Sequence, residues 1–437
     1  MHMSRQPTGT RNTRPCRLRP TAALLLLVSC APLGATTPTN RDPLFDKYPL
    51  GQWVTAGRES HVRWRVEVPL PELSTHQRLI ARVVTHFDGR ELARRRSEGE
   101  MLVLFQYRDA EGHIWQHHAS LDLGHLQPNI QASEVTVTNF AFILPGDYSV
   151  TVAAIDTHTG EHSVVVRKLH VAPLRTDPLP GAWAGLPEVE FIAPTTESPD
   201  VWFLPTVQNH LRLPLQTRRR IHLQILVNTT PSERASGSAA AMRRNMNLLI
   251  PALKTLSSLE IANGSIDAAF LDLTNRRVPF EQKDLHEIEW ERARQFFVGI
   301  NPGLIDVRAL QGQWKIRRFF WDEISRRLAP SGDALNVVIV LSGPAFFEQQ
   351  EAVESGPVET ASGQRLYYIR YRNPPVRQRV RPRPGMRPPP SPTALAQLPV
   401  DDLEHTVEPL GAHLYDATNA EQFRRVLGAI LEQLSQL

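Results

Sequence analysis

Residues 61–68 (HVRWRVEV) alternate apolar and polar side chains with a period of two, which places Val62, Trp64, Val66 and Val68 on one face of a strand. Comparable strand patterns run over Leu79–Phe87, Met101–Tyr107, Ile114–Leu121, Val135–Ile143, Tyr148–Ile155 and Ser163–Val171. Turn signals separate them, as at Phe87-Asp88-Gly89, Asp109-Ala110-Glu111-Gly112 and Thr157-His158-Thr159-Gly160. Seven short strands between residues 58 and 173 predict an all-β sandwich. Residues 174–216 are proline-rich and weakly periodic, as an interdomain connection is, although Trp183, Phe191, Trp202 and Phe203 are costly to leave in water.

From Thr217 onward strands alternate with helices. Ile221–Val227 reads as a strand, and Met242, Met246, Leu249, Ile250, Leu253 and Leu256 then fall on one helical stripe. Ile266–Leu273 and Arg277–Glu281 read as strands, Asp284–Phe297 and Trp314–Leu328 as helices. Val337–Leu341 is a continuous apolar run, the mark of a central parallel strand covered on both faces. Leu366–Tyr371 and Ala412–Tyr415 are further strands. Asn419 and Gln422 form a capping-box pattern ahead of a helix that turns Phe423, Val426, Leu427, Ile430, Leu431 and Leu434 inward. The spacing predicts a multidomain chain: a β-sandwich over 58–173 and a doubly wound, Rossmann-like α/β domain over 217–437. Residues 373–393 interrupt the second domain as a Pro/Arg-rich, polyproline-II-like insertion (Arg377, Arg379, Arg381, Arg383, Arg387).

The amino terminus alters the charge picture. Five of the 49 basic residues (Arg5, Arg11, Arg14, Arg17, Arg19) lie in the first thirty positions, which hold no acid; the remaining 44 face 45 acids. The chain beyond the leader is therefore near neutral, and no general attraction to nucleic acid is expected. A basic stretch to Pro20 followed by the short apolar run Thr21–Val28 has the layout of a secretory signal peptide, too short to span a bilayer. Residues 31–57 then read as a tether. Cys16 and Cys30 are the only cysteines, which excludes an intramolecular disulfide in the exported chain, thiol catalysis and cysteine metal sites.

Three resemblances follow. Leu27-Val28-Ser29-Cys30 resembles the lipobox of bacterial lipoproteins, which implies a lipid on Cys30 and anchoring without a spanning helix. The other processing route, cleavage after Ala35, discards Cys30. Leu144-Pro145-Gly146-Asp147-Tyr148 resembles the tyrosine corner of immunoglobulin-like domains, without the antibody Cys and Trp pattern. Residues 217–437 resemble a von Willebrand factor type A domain. That likeness is carried by Ile221–Val227 running into Asn228-Thr229-Thr230-Pro231-Ser232, by Asn336–Leu341 running into Ser342-Gly343-Pro344, and by Ala412-His413-Leu414-Tyr415-Asp416 before the last helix. It implies that loops at the strand carboxyl ends meet a partner protein, in that family through a divalent cation held by an Asp-x-Ser-x-Ser loop. Here Asn228, Thr230 and Ser232 take those three places, so both hydroxyls persist and the acid does not. Neutral oxygens compensate Mg²⁺ poorly. Ser342 or Gly343 stands for the second acid, the later threonine has no counterpart near Gly303–Asp306, and Asp306 or Glu348 is left to supply a carboxylate. A degenerate, metal-free loop is expected.

Other constellations are weaker. His286-Glu287 has Trp290 where a zinc-protease helix needs a second histidine. His113, His117, His118 and His125 crowd one stretch but are expected to be separate strand-surface residues. No Gly-x-Ser-x-Gly elbow or phosphate-binding glycine loop occurs, and Ser236-Gly237-Ser238 sits where a helix needs a cap. The sequons at Asn228 and Asn263 are expected to be incidental, since the leader resembles a bacterial export signal. The sequence thus predicts an exported, lipid-anchored, non-enzymatic module that binds protein partners in the cell envelope, with no cofactor, nucleic acid or small-molecule substrate. The alternatives are a Mg²⁺-dependent adhesion module and an envelope hydrolase with a dispersed site.

Overall fold

The computed structural model describes residues 41–57, 61–96, 99–127, 129–192, 211–230, 239–298, 313–330, 332–347, 364–372 and 401–437. The leader with Cys30, Trp202, Phe203, Ser232, Ser236–Ser238, Asp306, Glu348 and the 373–393 insertion lie outside them. Among the described residues no helix is long and apolar enough to cross a membrane.

The first half is built from α1 (Leu50–Ala56), β1 (Trp64–Glu67), β2 (Glu72–Leu73), β3 (Leu79–Asp88), α2 (Gly89–Arg94), β4 (Glu100–Arg108), β5 (Ile114–Asp122), β6 (Glu134–Ile143), β7 (Gly146–Asp156), β8 (His162–Val171) and β9 (Val189–Phe191). These strands form two antiparallel sheets, ordered β1-β3-β6-β9 (with β2 on β3) and β5-β4-β7-β8. Alternation decides the faces: Leu79, Ala81, Val83 and Phe87 of β3 turn inward to meet Phe105, Tyr107, Trp115, Val150 and Val152 of the other sheet. Each fully buried Leu, Val or Phe among them is worth about 1.5–3 kcal/mol. All seven expected strands are present; β2 and β9 are additions, and β9 comes from the stretch expected to be connection.

β4 is buried almost throughout, because its second face is covered as well. Phe45 and Leu50 pack there on Leu102, Leu104, Ala153 and Ile155. Asp42 accepts the Leu44 N–H to start a short 3-10 turn, Pro43–Asp46, and α1 follows. The described part of the expected tether is therefore packed structure. Residues 41–57 carry Leu44, Phe45, Tyr48, Leu50 and Trp53, and the burial of these apolar side chains outweighs the tether-like composition.

The second half contains β10 (Leu213–Leu215), β11 (Ile221–Asn228), α3 (Ala239–Ser257), β12 (Leu259–Ile261), β13 (Gly264–Asp272), β14 (Arg277–Gln282), α4 (Trp290–Val298), α5 (Ile316–Leu328), β15 (Leu335–Ser342), β16 (Arg365–Tyr371), α6 (Asp402–Val407), β17 (His413–Ala417) and α7 (Ala420–Ser435). Six strands form one sheet, ordered β14-β13-β11-β15-β16-β17. All neighbours are parallel except β14, which runs antiparallel to β13. Helices cover both faces. Leu223, Ile225 and Val227 meet α3 and α7, while Leu226, Val338, Val340 and Tyr368 meet α5 and α6. Every residue of β15 is buried, as its unbroken apolar run requires. Asn419 caps α7 by accepting the Gln422 N–H at 2.9 Å, and the Gln422 side chain accepts from Thr418 N–H at 2.7 Å.

One expected helix is shorter than its pattern. α4 starts at Trp290, not Asp284, so His286 and Glu287 lie on a bend rather than on a helix. Gln282 explains this: its amide donates to the Glu287 carbonyl (2.8 Å) and accepts from the Glu289 N–H (2.9 Å), holding the bend open.

The two halves share a joint. Arg424 of α7 is 1% exposed, pairs bidentately with Asp177 (2.6 and 2.8 Å), donates to the Gln77 carbonyl and lies 4.8 Å over the Trp183 ring. Trp183 packs on both cores and donates its indole N–H to Gln77. Gln77 in turn donates to the Ala420 carbonyl at 3.1 Å. Gly428 leaves room for Pro178, since a Cβ there would stand 2.5 Å from the proline Cβ.

Candidate functional site

In an open parallel sheet the order of strands reverses at one point, and ligands gather beyond the strand carboxyl ends there. In this sheet the reversal lies between β11 and β15, and the two strands end side by side on Asn228 and Ser342. Asn228 donates its amide N–H to Ser342 Oγ at 2.9 Å, and its Oδ1 accepts the Thr230 N–H at 3.0 Å in an Asx turn. Thr230 Oγ1 accepts the Leu273 N–H at 2.8 Å, and Thr229 Oγ1 donates to the Leu271 carbonyl at 3.0 Å. All four side chains are buried. The structure thus brings Asn228, Thr230 and Ser342 together.

The donor set does not fit a hard divalent ion. Asn228 turns an N–H, not an oxygen, toward Ser342, and its own oxygen is occupied. The Thr230 oxygen is committed to a backbone N–H. The carboxylate ending the next strand, Asp272, already accepts from Asn275 and from Arg277. Mg²⁺ needs charged or free oxygens in near-octahedral array, and among the described residues here the one carboxylate, Asp272, is already engaged.

A fixed organic cation lies further along the same edge. Arg370, at the end of β16, grips Asp416 of β17 through Nε (2.7 Å) and Nη2 (3.3 Å), and its Nη1 meets Glu404 and Asp401 of the α6 segment. Arg372 shares Asp416 at 3.2 Å. Burial works against the Arg370 charge, but hydrogen bonds and charge from Asp416 and Glu404 prevail and hold the guanidinium protonated more firmly than usual. Asp401 accepts the N–H groups of Ala345 (3.0 Å) and Leu403 (3.2 Å) and the Tyr368 hydroxyl (2.8 Å). Burial pushes the Asp401 carboxyl above the usual carboxylate range, against those bonds and Arg370. Burial and the Asp401 charge push the Tyr368 phenol far up. Sequence reasoning missed this network, although one signal was available: Arg370 is a charge inside the apolar strand LYYIRY.

The clustered histidines disperse. His113 pairs with Asp109 (2.7 Å), His125 with Asp122 (2.6 Å), His118 with Asp42, and His117 takes a contact from Asn139 (3.0 Å) while stacking on Phe191. The β4–β5 turn brings Asp109 and Glu111 to His113, with ligating atoms within 4.8 Å of one another, a set of the type that can hold a cation. Sequence reasoning singled out only the histidine. The Tyr148 hydroxyl donates to the Leu144 carbonyl at 3.1 Å, four residues back.

Neither a family model nor a curated protein matches this sequence. Among solved structures it is similar to β-glucosidase from Listeria innocua in complex with gluconolactone and to the same enzyme in complex with glucose. Each shows 15% sequence identity and a TM-score of 0.16, over 26% of this chain and 17% of the glucosidase. The chain spans 17% of the length of these structures, and a likeness so partial carries no argument about fold or activity.

Proposed function

We propose that this chain is an exported, lipid-anchored protein-binding module of the bacterial cell envelope, built from an immunoglobulin-like sandwich and a type A-like, doubly wound domain. Three features support this architecture. The six strands follow the order 3-2-1-4-5-6 of doubly wound sheets. The predicted first loop, Asn228 to Thr230, lies at the switch point, and Tyr148 makes the short backward bond of a tyrosine corner.

In this reading the module recognises its partner without a metal. The observation that carries it is the Asn228–Ser342 hydrogen bond across the switch point, with Thr230 pinned to Leu273. Those groups shape a firm floor and leave recognition to the charges beside it, Asp416, Glu404 and Arg372.

The test combines calorimetry with capture. Mg²⁺ and Mn²⁺ titrated into the purified chain are expected to give no heat of micromolar binding. An envelope protein captured by the chain is expected to persist in chelator and to be lost with Asp416→Arg. Micromolar Mg²⁺ affinity, or release of the captured protein by chelator, overturns the metal-independent reading. Labelling with a radioactive fatty acid, abolished by Cys30→Ser, tests the anchor.

A further inference from the structure

At the opposite, amino end of the sheet an open cleft of about 810 Å³ lies between the end of α3, the β10–β12 ribbon and residues 284–290. Its lining sorts charge by depth. Lys254 is half-buried, and its ammonium makes no hydrogen bond or ion pair with any described residue. Glu190 and Glu287 attract its ammonium from a distance, Arg78 repels it, and burial pushes its pKa below the usual lysine value. The remaining charges, Glu260, Asp284 and Glu287, are exposed carboxylates at the mouth. Asp284 is held there by its N–H, which donates to Asp267 at 3.0 Å. Buried Leu259 and partly buried Trp290 supply apolar wall.

A half-buried ammonium that no described carboxylate touches calls for an anionic group, while three carboxylates outside it call for a cation one or two residues away. A fatty acid lacks the cation, and inorganic phosphate lacks both the cation and the apolar body. We propose that this cleft receives the C-terminal end of a peptide. The terminal carboxylate accepts from Lys254, one or two apolar side chains lie on Leu259 and Trp290, and a basic residue upstream faces Glu260, Asp284 and Glu287. The cleft stands apart from the switch point, so this inference does not depend on the metal-free reading.

The experiment titrates a pool of N-acetyl tripeptides into the purified chain, with Arg first and Leu, Val or Phe in the next two places. The pool is prepared once as free acids and once as C-terminal amides, and binding is read by saturation-transfer NMR and calorimetry. The free acids are expected to bind at least about tenfold more tightly than the amides, a gap worth about 1.4 kcal/mol. Lys254→Met is expected to erase that gap. Glu287→Gln combined with Asp284→Asn is expected to retain it while losing any preference for Arg over Leu in the first place. Equal binding of acids and amides, or no saturation by about 5 mM, which places any affinity weaker than millimolar, overturns the proposal. So does decanoate binding as tightly as the peptides. The acid-against-amide comparison uses the unaltered chain and decides the matter even where a variant fails to fold.

Discussion

At the carboxyl end of the six-stranded sheet, Asn228, Ser342, Tyr368, Asp401 and Arg370 are held in hydrogen bonds to side chains or backbone. At the amino end, the Lys254 ammonium borders an open cleft with no partner among the described residues. The chemistry of burial is the same in both places, and only the pairing differs. A buried polar group with partners holds the fold together, and one without them costs free energy until something else supplies the partner. The carboxyl end is therefore read as a pre-set frame that holds Asp416, Glu404 and Arg372 in place for a partner. The amino end is read as a site awaiting an occupant.

The sharpest test of that contrast removes the fixed cation. Arg370→Met leaves Asp401, Glu404 and Asp416 around an uncharged side chain. Because Glu404 and Asp416 are partly exposed, the expected loss is about 3 kcal/mol, the lower part of the range for breaking a buried ion pair. Urea denaturation measures it, and a loss below about 1 kcal/mol would break the comparison. Asn228→Ala strips Ser342 of a donor and the Thr230 N–H of its acceptor, for an expected loss of about 1–3 kcal/mol by the same assay.

Groups near Lys254 give effects that depend on pH or are close to zero. Burial, with Lys254 and Arg78 nearby, lowers the His76 pKa from 6.5 to about 3. His76 is thus neutral in the fold, and its contribution is fully present above pH 6.5 and lost progressively as pH falls toward 3. His76→Gln is expected to flatten stability against pH over that window, and an unchanged slope would show that His76 is solvated. Lys254→Met is expected to change stability by no more than about 0.5 kcal/mol or to raise it, because it removes a desolvated charge with no bond to lose. A larger destabilisation would place a hidden partner on Lys254 and erase the contrast.

Much of the architecture was legible because it is periodic. Alternation marked β3 and β7, the unbroken run at Val337–Leu341 marked the sheet centre, and Asn419 with Gln422 marked the start of α7. Short pairings were not legible. β9, β10 and β12 have three residues each, too few to show a period, and they exist because a neighbouring edge receives them. α6 adds a single short turn capped by Asp401, whose role becomes visible only once Arg370 and Tyr368 are brought beside it from β16. For the site, the sequence identified Asn228 and Thr230 but could not show that their donors and acceptors meet each other and Ser342. Pairing across 114 residues of chain is a property of register, not of local pattern.

The Arg424–Asp177 pair has a consequence for how salt acts on the molecule. Ions in the surrounding medium weaken exposed charge pairs over about 8–10 Å at ordinary salt, but reach sequestered ones far less. Because Arg424 is wrapped by Trp183 and Gln77, the seam it closes should hold through swings in salinity that would loosen a surface-charged hinge. A force applied at either half would then pass through a rivet indifferent to the brine around it.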